Sequence, residues 1–82
     1  MEIRYTKTAV KFLKSTDIKT KRRVLAGIEG LTKEPPEGDI KQMKGYKDST
    51  CRLRIGKYRI IYRYIQDTLC VEDINSRGDI YK

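Results

Sequence analysis

The fold of this chain is decided by an alternating stretch at residues 51–64, which reads CRLRIGKYRIIYRY. Apolar and cationic residues alternate with period two on both sides of Gly56, which is typical of two strands that each have one buried and one solvent-exposed face. Five cations and no acid lie between Arg52 and Arg63. The sequence therefore predicts a β-hairpin whose arginine-rich face attracts a polyanion.

Length and charge narrow the class of protein. The chain has 82 residues, which predicts one small domain over residues 1–82. Its formal net charge of +8 and isoelectric point near 9.7 favour nucleic acid or acidic protein as partners. The N-terminus carries no apolar run, so we expect no signal peptide, no membrane partner and a cytoplasmic location.

The chain lacks the residues on which many catalytic sites depend. It contains no histidine, which removes the usual general base and the usual metal ligand. Cys51 and Cys70 lie in strand-like patterns without metal-ligand spacing, and we interpret them as reduced thiols of the core. We expect neither a metal nor a cofactor.

The first half of the sequence predicts a short strand at residues 2–5 and two helices. Thr6 or Thr8 caps the first helix, and residues 15–17 end it and supply the cap of the second. Apolar stripes at helical spacing run along both helices: Ala9, Val10, Phe12 and Leu13, then Ile18, Val24, Leu25, Ile28 and Leu31. The two helices should form an antiparallel hairpin, which the proline-rich residues 34–38 terminate.

The second half predicts the sheet. Residues 34–49 carry four acids against three cations, and we interpret them as a connector outside the binding face. In the last strand, residues 68–75, the apolar period slips, which indicates either a bulge near Glu72 and Asp73 or burial on both faces. The predicted class is α+β: an N-terminal strand, a helical hairpin, then a three-stranded antiparallel meander, forming one sheet with helices on one face.

Several motifs carry a resemblance to a known family. They are KFL at 11–13, IEGL at 28–31, Pro36, MKG at 43–45, RLRIGKYRIIY at 52–62 and INSRGDIY at 74–81. In order and spacing over nearly the whole chain, they resemble the RelE/ParE toxins of bacterial and archaeal type II toxin–antitoxin pairs. The resemblance is closest to the RelE-like branch, because all the positions that mark its active surface hold suitable residues.

The resemblance has implications for function. RelE-like toxins are ribosome-dependent endoribonucleases that cut mRNA without a metal, whereas ParE-like toxins share the fold and poison DNA gyrase. The RelE-like active surface maps onto Arg52, Arg54, Arg59, Arg77 and Tyr81. The resemblance implies three partners: a RelB-like antitoxin, with which the toxin would form an oligomeric complex, the ribosome and mRNA. A gyrase poison that cuts no RNA, or a catalytically dead repressor component, is the alternative.

The chemistry of the candidate residues suits this reading. When the RNA's own 2′-hydroxyl is the nucleophile, the protein must hold it in line with the scissile bond and neutralise charge on the phosphate oxygens. Arginine is well suited to neutralising that charge. Arginine is a poor base, so Tyr81 or Lys57 is the candidate for proton transfer, and Tyr81 could equally stack on a base. Lys57 and Arg63 are candidate RNA contacts.

Each candidate also has a purely structural interpretation. Without the resemblance, Arg52 and Arg54 are a solvated face, and Arg59 and Arg77 pair with Glu72, Asp73 or Asp79. Three tyrosines are an even number of residues away from Ile60 and so lie on the same face of the predicted strand; we interpret them as core residues: Tyr58, Tyr62 and Tyr64. The cations of the second helix are interpreted as solvated, with docking on ribosomal RNA as the alternative: Lys19, Lys21, Arg22 and Arg23.

Overall fold

The structure is a computed structural model that describes residues 1–43 and 49–76. Its elements are β1 (Glu2–Tyr5), α1 (Lys7–Ser15), α2 (Ile18–Gly30), β2 (Asp39–Gln42), β3 (Cys51–Ile55), β4 (Tyr58–Ile65) and β5 (Thr68–Ser76). The strands form one sheet in the order β1-β5-β4-β3-β2. β1 runs parallel to β5, and the other neighbours are antiparallel. The predicted α+β class, first strand, helix pair and β3–β4–β5 meander are confirmed.

One strand was missed by the sequence analysis, and it lies in the segment interpreted as a connector. Residues 39–42 form β2, which pairs antiparallel with β3, with Asp39 opposite Arg54. This strand has four residues, of which Ile40 alone is apolar, so its alternation is too short to register as a period. The acidic segment therefore reaches the arginine-bearing strands instead of merely linking elements.

Both helices begin at the predicted caps. Thr6 Oγ1 accepts a hydrogen bond from the Ala9 N–H at 3.2 Å, so α1 starts after Thr6 and not after Thr8. Asp17 Oδ2 accepts from the Thr20 N–H at 3.1 Å at the start of α2. Hydrogen bonds from Thr20 stabilise the charged carboxylate and lower the pKa of Asp17. These caps satisfy N–H groups that the first helical turn leaves without partners.

The core lies between the two helices and one face of the sheet. Its buried members are Ala9, Val24, Ile28, Leu31, Leu53, Ile60, Tyr62, Leu69, Val71 and Ile74. Ile18, which the sequence analysis placed in the apolar stripe, is 63% exposed at the first residue of α2. At Gly27, a Cβ would lie 3.3 Å from Leu53 Cδ2, so the glycine allows α2 to pack closely on β3. Neither of the described helices is long and apolar enough to cross a membrane.

A bulge in β5 explains the slipped period. Tyr62 pairs with Val71 and Ile61 pairs with Asp73, so Glu72 is an extra residue in the ladder. Because of this extra residue, Ile74 lies on the same face of the sheet as Leu69 and Val71, and all three are buried in the core. Thr6 Oγ1 donates to the Glu72 carbonyl oxygen at 2.6 Å, which fixes the start of α1 onto the bulge. Of the two predicted explanations of the slipped period, the structure contains the bulge.

The three tyrosines of β4 face the core, as predicted. Tyr62 is 1% exposed, and its burial raises the pKa of its phenol. Tyr64 Oη donates to the Leu31 carbonyl oxygen at 2.7 Å, and the Tyr58 ring meets Phe12 edge-on with centroids 5.6 Å apart. These contacts join β4 to both helices.

The two cysteines differ in their surroundings, and both are free thiols. Cys51 packs against the core cluster, as expected. Cys70 lies between the buried Leu69 and Val71 in a regularly alternating part of β5, so it belongs to the opposite face. The interpretation of Cys70 as a core thiol was therefore wrong.

Candidate functional site

The face of the sheet opposite the helices carries the arginines, and we call it the arginine face. It is defined by Arg52 and Arg54 on β3 and by Arg59 and Arg63 on β4, which alternate with core residues. The pairing aligns Asp39, Arg54, Arg59 and Asn75 in one row across β2, β3, β4 and β5. The sheet thus brings together three of the five predicted catalytic residues.

Arg52 is the most enclosed of these arginines. Its side chain is 12% exposed, and Nη1 donates to the Asp39 carbonyl oxygen at 3.2 Å. The same nitrogen lies 3.7 Å from Asp39 Oδ1. These contacts tie β2 to β3 and offset the charge of Arg52, so its first role in this structure is to hold the edge of the sheet.

Arg54 shares the same carboxylate less closely. Its Nε lies 4.0 Å from Asp39 Oδ2, beyond hydrogen-bond distance, and its side chain is 37% exposed. One carboxylate therefore serves two guanidinium groups. The charge of Arg54 is only partly compensated, and it can still attract an external anion.

Arg59 has no ion-pair partner among the described residues, whereas Arg52, Arg54 and Arg63 each have one. Its Nε, like those of Arg54 and Arg63, is shielded from solvent and has no hydrogen-bond partner among residues 1–43 and 49–76. Arg54 lies directly opposite on β3, and like charges in that position destabilise a sheet. On the other side is Asn75, whose Nδ2 donates to Asp73 Oδ2 at 3.0 Å and whose Oδ1 is unpartnered within the same ranges. An oxyanion between Arg54 and Arg59 would reduce the repulsion between the two guanidinium groups and would accept a hydrogen bond from Arg59 Nε.

Arg63 differs from Arg59 in having a close acid partner. Its Nε lies 2.8 Å from Glu72 Oε2, on the bulge of β5, and both side chains are about a third exposed or less. This contact is an ion pair by distance, although it does not have the geometry of a hydrogen bond. Ile61, 8% exposed, lies on the same face between Arg59 and Arg63. Excess positive charge is therefore concentrated at the Arg54–Arg59 end of the arginine face, next to the β3–β4 turn.

Lys57 stands in that turn and is exposed. Gly56 precedes it with φ +58°, a left-handed conformation that glycine adopts without strain. Lys57 Nζ lies 5.6 Å from the centroid of the Tyr58 ring, which is within the range of a cation–π contact. The predicted RNA contact Lys57 thus lies beside the Arg54–Arg59 pair.

Two predicted catalytic residues, Arg77 and Tyr81, lie outside the described residues, so their assignment stays a prediction. Conversely, sequence reasoning missed Asp39, the acid that holds Arg52 and Arg54. No local signal for this contact is present in the sequence, because Ile40 is the only apolar residue of β2. In the described part of the chain, no group of three or more histidine, cysteine or acidic side chains could hold a metal ion.

A five-stranded mixed sheet with two helices on one face and arginines on the other defines a RelE-like toxin fold. Residues 3–81 match the model of the family described as ParE toxin of type II toxin–antitoxin system, parDE. The chain belongs to this family and is a toxin of a type II toxin–antitoxin system. No curated protein sequence matches it. The resemblance to the RelE/ParE superfamily is confirmed.

Solved structures support the same assignment. The chain is similar to RelE in the RelB–RelE antitoxin–toxin complex from Methanococcus jannaschii, with 31% identity, TM-score 0.77 and coverage of 95% of this chain and 94% of that one. The archaeal RelE–RelB complex from Pyrococcus horikoshii OT3 gives 28% identity, TM-score 0.75 and 94% of each chain. The isolated E. coli RelE toxin is 11% identical over 92% of this chain and 82% of that one, with TM-score 0.76, and shows the fold alone.

Proposed function

We propose that this toxin is a ribosome-dependent mRNA endoribonuclease that inhibits translation. The observation that carries the proposal is the Arg54–Arg59 pair: two arginines directly opposite each other, each with a shielded Nε that has no hydrogen-bond partner among the described residues, and no ion pair to Arg59 within those residues. Two guanidinium groups in this position can bind the oxygens of one phosphate, and a bound anion would offset the destabilisation that like charges cause directly opposite each other in a sheet. The motif positions that resemble the RelE-like active surface support the same reading.

In the proposed reaction, the 2′-oxygen of one nucleotide attacks the adjacent phosphorus in line. A P–O2′ bond forms as the P–O5′ bond breaks, the 2′-hydroxyl proton is lost, and the 5′-oxygen gains a proton as it leaves. Arg54 and Arg59 neutralise the non-bridging oxygens as charge builds there. Arg52 holds β2 in place behind them, and Tyr81 is the proposed proton carrier. No step is assigned to a metal or cofactor.

We also propose a RelB-like antitoxin as the partner that holds the toxin inactive in an oligomeric, cytoplasmic complex. The M. jannaschii and P. horikoshii structures are complexes of RelE with RelB, which supports this assignment. An acidic, amphipathic segment of the antitoxin would complement the net charge of +8. The ribosome would orient the mRNA strand, since a domain of this size offers little surface for that task.

Primer extension on cellular mRNA after induction of the toxin tests the proposed activity. The unsubstituted toxin should produce new 5′ ends within codons, and Arg59→Gln should lower their yield about a hundredfold or more, as for loss of one oxyanion donor. Arg4→Gln is the matched control, because Arg4 is exposed on β1 and pairs with Glu2 at 3.2 Å. It should cut normally.

The opposite result has a defined meaning. If induction arrests growth without new mRNA ends, and the purified toxin instead blocks supercoiling by DNA gyrase, the nuclease proposal is wrong and the ParE-like alternative holds. Normal cleavage by Arg59→Gln would contradict the role given to the Arg54–Arg59 pair.

A further inference from the structure

The positive charge of the arginine face continues around the β3–β4 turn. Arg54 and Arg59 form the second-last pair of the hairpin, and Ile55–Tyr58 is the last before the turn. At about 3.3 Å per residue, the Arg54–Arg59 pair lies only about 7 Å from the turn. Gly56 and the exposed Lys57 form its tip. The turn thus carries a cation at the open end of the anion-attracting pair.

A further cation reaches the same turn from the helix layer. α2 packs on β3 through Gly27, and Arg23 lies one helical turn earlier on α2, beyond the end of the strand. A Cβ at Gly56 would lie 3.1 Å from Arg23 Nη2 and 3.8 Å from Nη1, so this guanidinium rests against the glycine. Arg23 is exposed, and within residues 1–43 and 49–76 no acid forms an ion pair with it or with Lys57.

We propose that Arg54, Arg59, Lys57 and Arg23 form one continuous binding track for the backbone of single-stranded RNA, which we call the turn track. This proposal rests on the proposed function, which identifies the ligand as RNA. The turn track extends the proposed active site from the scissile phosphate to phosphates further along the RNA strand. Three structural elements contribute to it: β3 and β4 on the arginine face, the turn at the tip, and α2 behind the turn.

The chemistry of the turn track suits a phosphate chain. Guanidinium groups bind phosphate oxygens through two parallel donors, and Lys57 adds a mobile point charge. Gly56 has no side chain to keep a backbone away from the Arg23 guanidinium. The nearby rings of Tyr58 and Phe12 are packed against each other, which leaves the charges as the main contacts. Binding along the track should therefore depend strongly on salt and weakly on base sequence.

Fluorescence anisotropy with a labelled 2′-O-methyl 12-nucleotide strand tests the track, because this probe binds without being cut. The association constant is measured between 50 and 300 mM salt for four proteins. Loss of one phosphate contact should lower the slope of log K against log salt by about 0.7 for Arg23→Gln and for Arg59→Gln. The matched control is Arg22→Gln, an equal change of charge on the neighbouring exposed residue of α2, which should leave the slope within about 0.2 of the unsubstituted protein.

Each outcome decides the proposal. A smaller slope for Arg23→Gln with an unchanged slope for Arg22→Gln supports the turn track. Equal slopes for Arg22→Gln and Arg23→Gln overturn it, while a reduced slope for Arg59→Gln in the same experiment still supports RNA binding at the arginine face. Absence of salt-dependent binding by the unsubstituted protein overturns the track as well. Whether the nuclease proposal then fails is read separately from primer extension.

Discussion

Replacing Arg59 with glutamine should make the folded domain more stable while it weakens RNA binding. Arg59 lies opposite Arg54 and forms no ion pair with an acid among the described residues. Of the acids on this face, Asp39 contacts Arg52 and Arg54, and Asp73 accepts a hydrogen bond from Asn75. Glutamine keeps a polar side chain on β4 but removes the charge. The substitution therefore relieves the repulsion between Arg54 and Arg59, which a bound anion would offset in the unsubstituted protein.

The size of the gain follows from the geometry of the pair. Two unit charges about 6 Å apart repel by about 0.7 kcal/mol in a dielectric of water, and cross-strand charge pairs change stability by roughly 0.2–1 kcal/mol. We expect Arg59→Gln to raise the free energy of unfolding by about 0.5–1 kcal/mol. For a domain of this size, that corresponds to an increase in Tm of about 2–8 °C.

The measurement is thermal unfolding followed by circular dichroism, at about 0.05 M and 1 M salt. At 1 M salt the Debye length falls to about 3 Å, so the gain should shrink by more than half. The control is Arg63→Gln, which breaks the 2.8 Å contact with Glu72 and should lower stability by about 0.5–1 kcal/mol. An unchanged or lower Tm for Arg59→Gln at low salt, or a gain that persists in full at high salt, would refute the charge argument.

Three further outcomes are expected. Tyr64→Phe should lower the free energy of unfolding in urea by about 1 kcal/mol, because it removes the bond to the Leu31 carbonyl, and should leave RNA affinity unchanged; a change in affinity would show that Tyr64 acts beyond the core. The pKa of Asp17 is lowered in the folded state, so its charge contributes stability above the ordinary carboxyl pKa, and this contribution is lost as the pH falls through the lowered pKa. The difference in Tm between wild type and Asp17→Asn should therefore be present at pH 6 and vanish in strong acid. A difference that stays constant with pH would contradict this. The free toxin should cut protein-free RNA poorly, and efficient cleavage of a naked transcript at equimolar toxin would show that the ribosome is not needed for orientation.

Local signals in the sequence were sufficient for most of the fold. The alternation of residues 51–64 gives both strands and their faces, and the side chains of Thr6 and Asp17 mark the helix starts because capping involves residues only three apart. The slipped period of the last strand indicated either a bulge near Glu72 and Asp73 or burial on both faces, and the structure has the bulge, with Glu72 as the extra residue. Each of these features is encoded within a few neighbouring residues.

Long-range pairing was harder to predict. β2 is too short to show a period, so the contact of Asp39 with Arg52 and Arg54, thirteen and fifteen residues away, could not be inferred locally. The sequence predicted the arginine face, but the partners that distinguish Arg59 from Arg52 and Arg63 come from other strands. Alternation identifies the face of a charge, whereas the neighbouring strands determine how much of that charge remains uncompensated.

The bulge at Glu72 also bears on how this chain can change in length during evolution. Removing Glu72 would leave Val71 and Asp73 as consecutive residues opposite Tyr62 and Ile61, and the ladder would become regular without moving any other residue to the opposite face. Removing a residue elsewhere within β5 would move the following residues to the opposite face of the sheet, as far as the bulge or the end of the strand. Relatives that differ by one residue in this strand should therefore carry the gap at Glu72, and they should lose with it the carboxylate that neutralises Arg63.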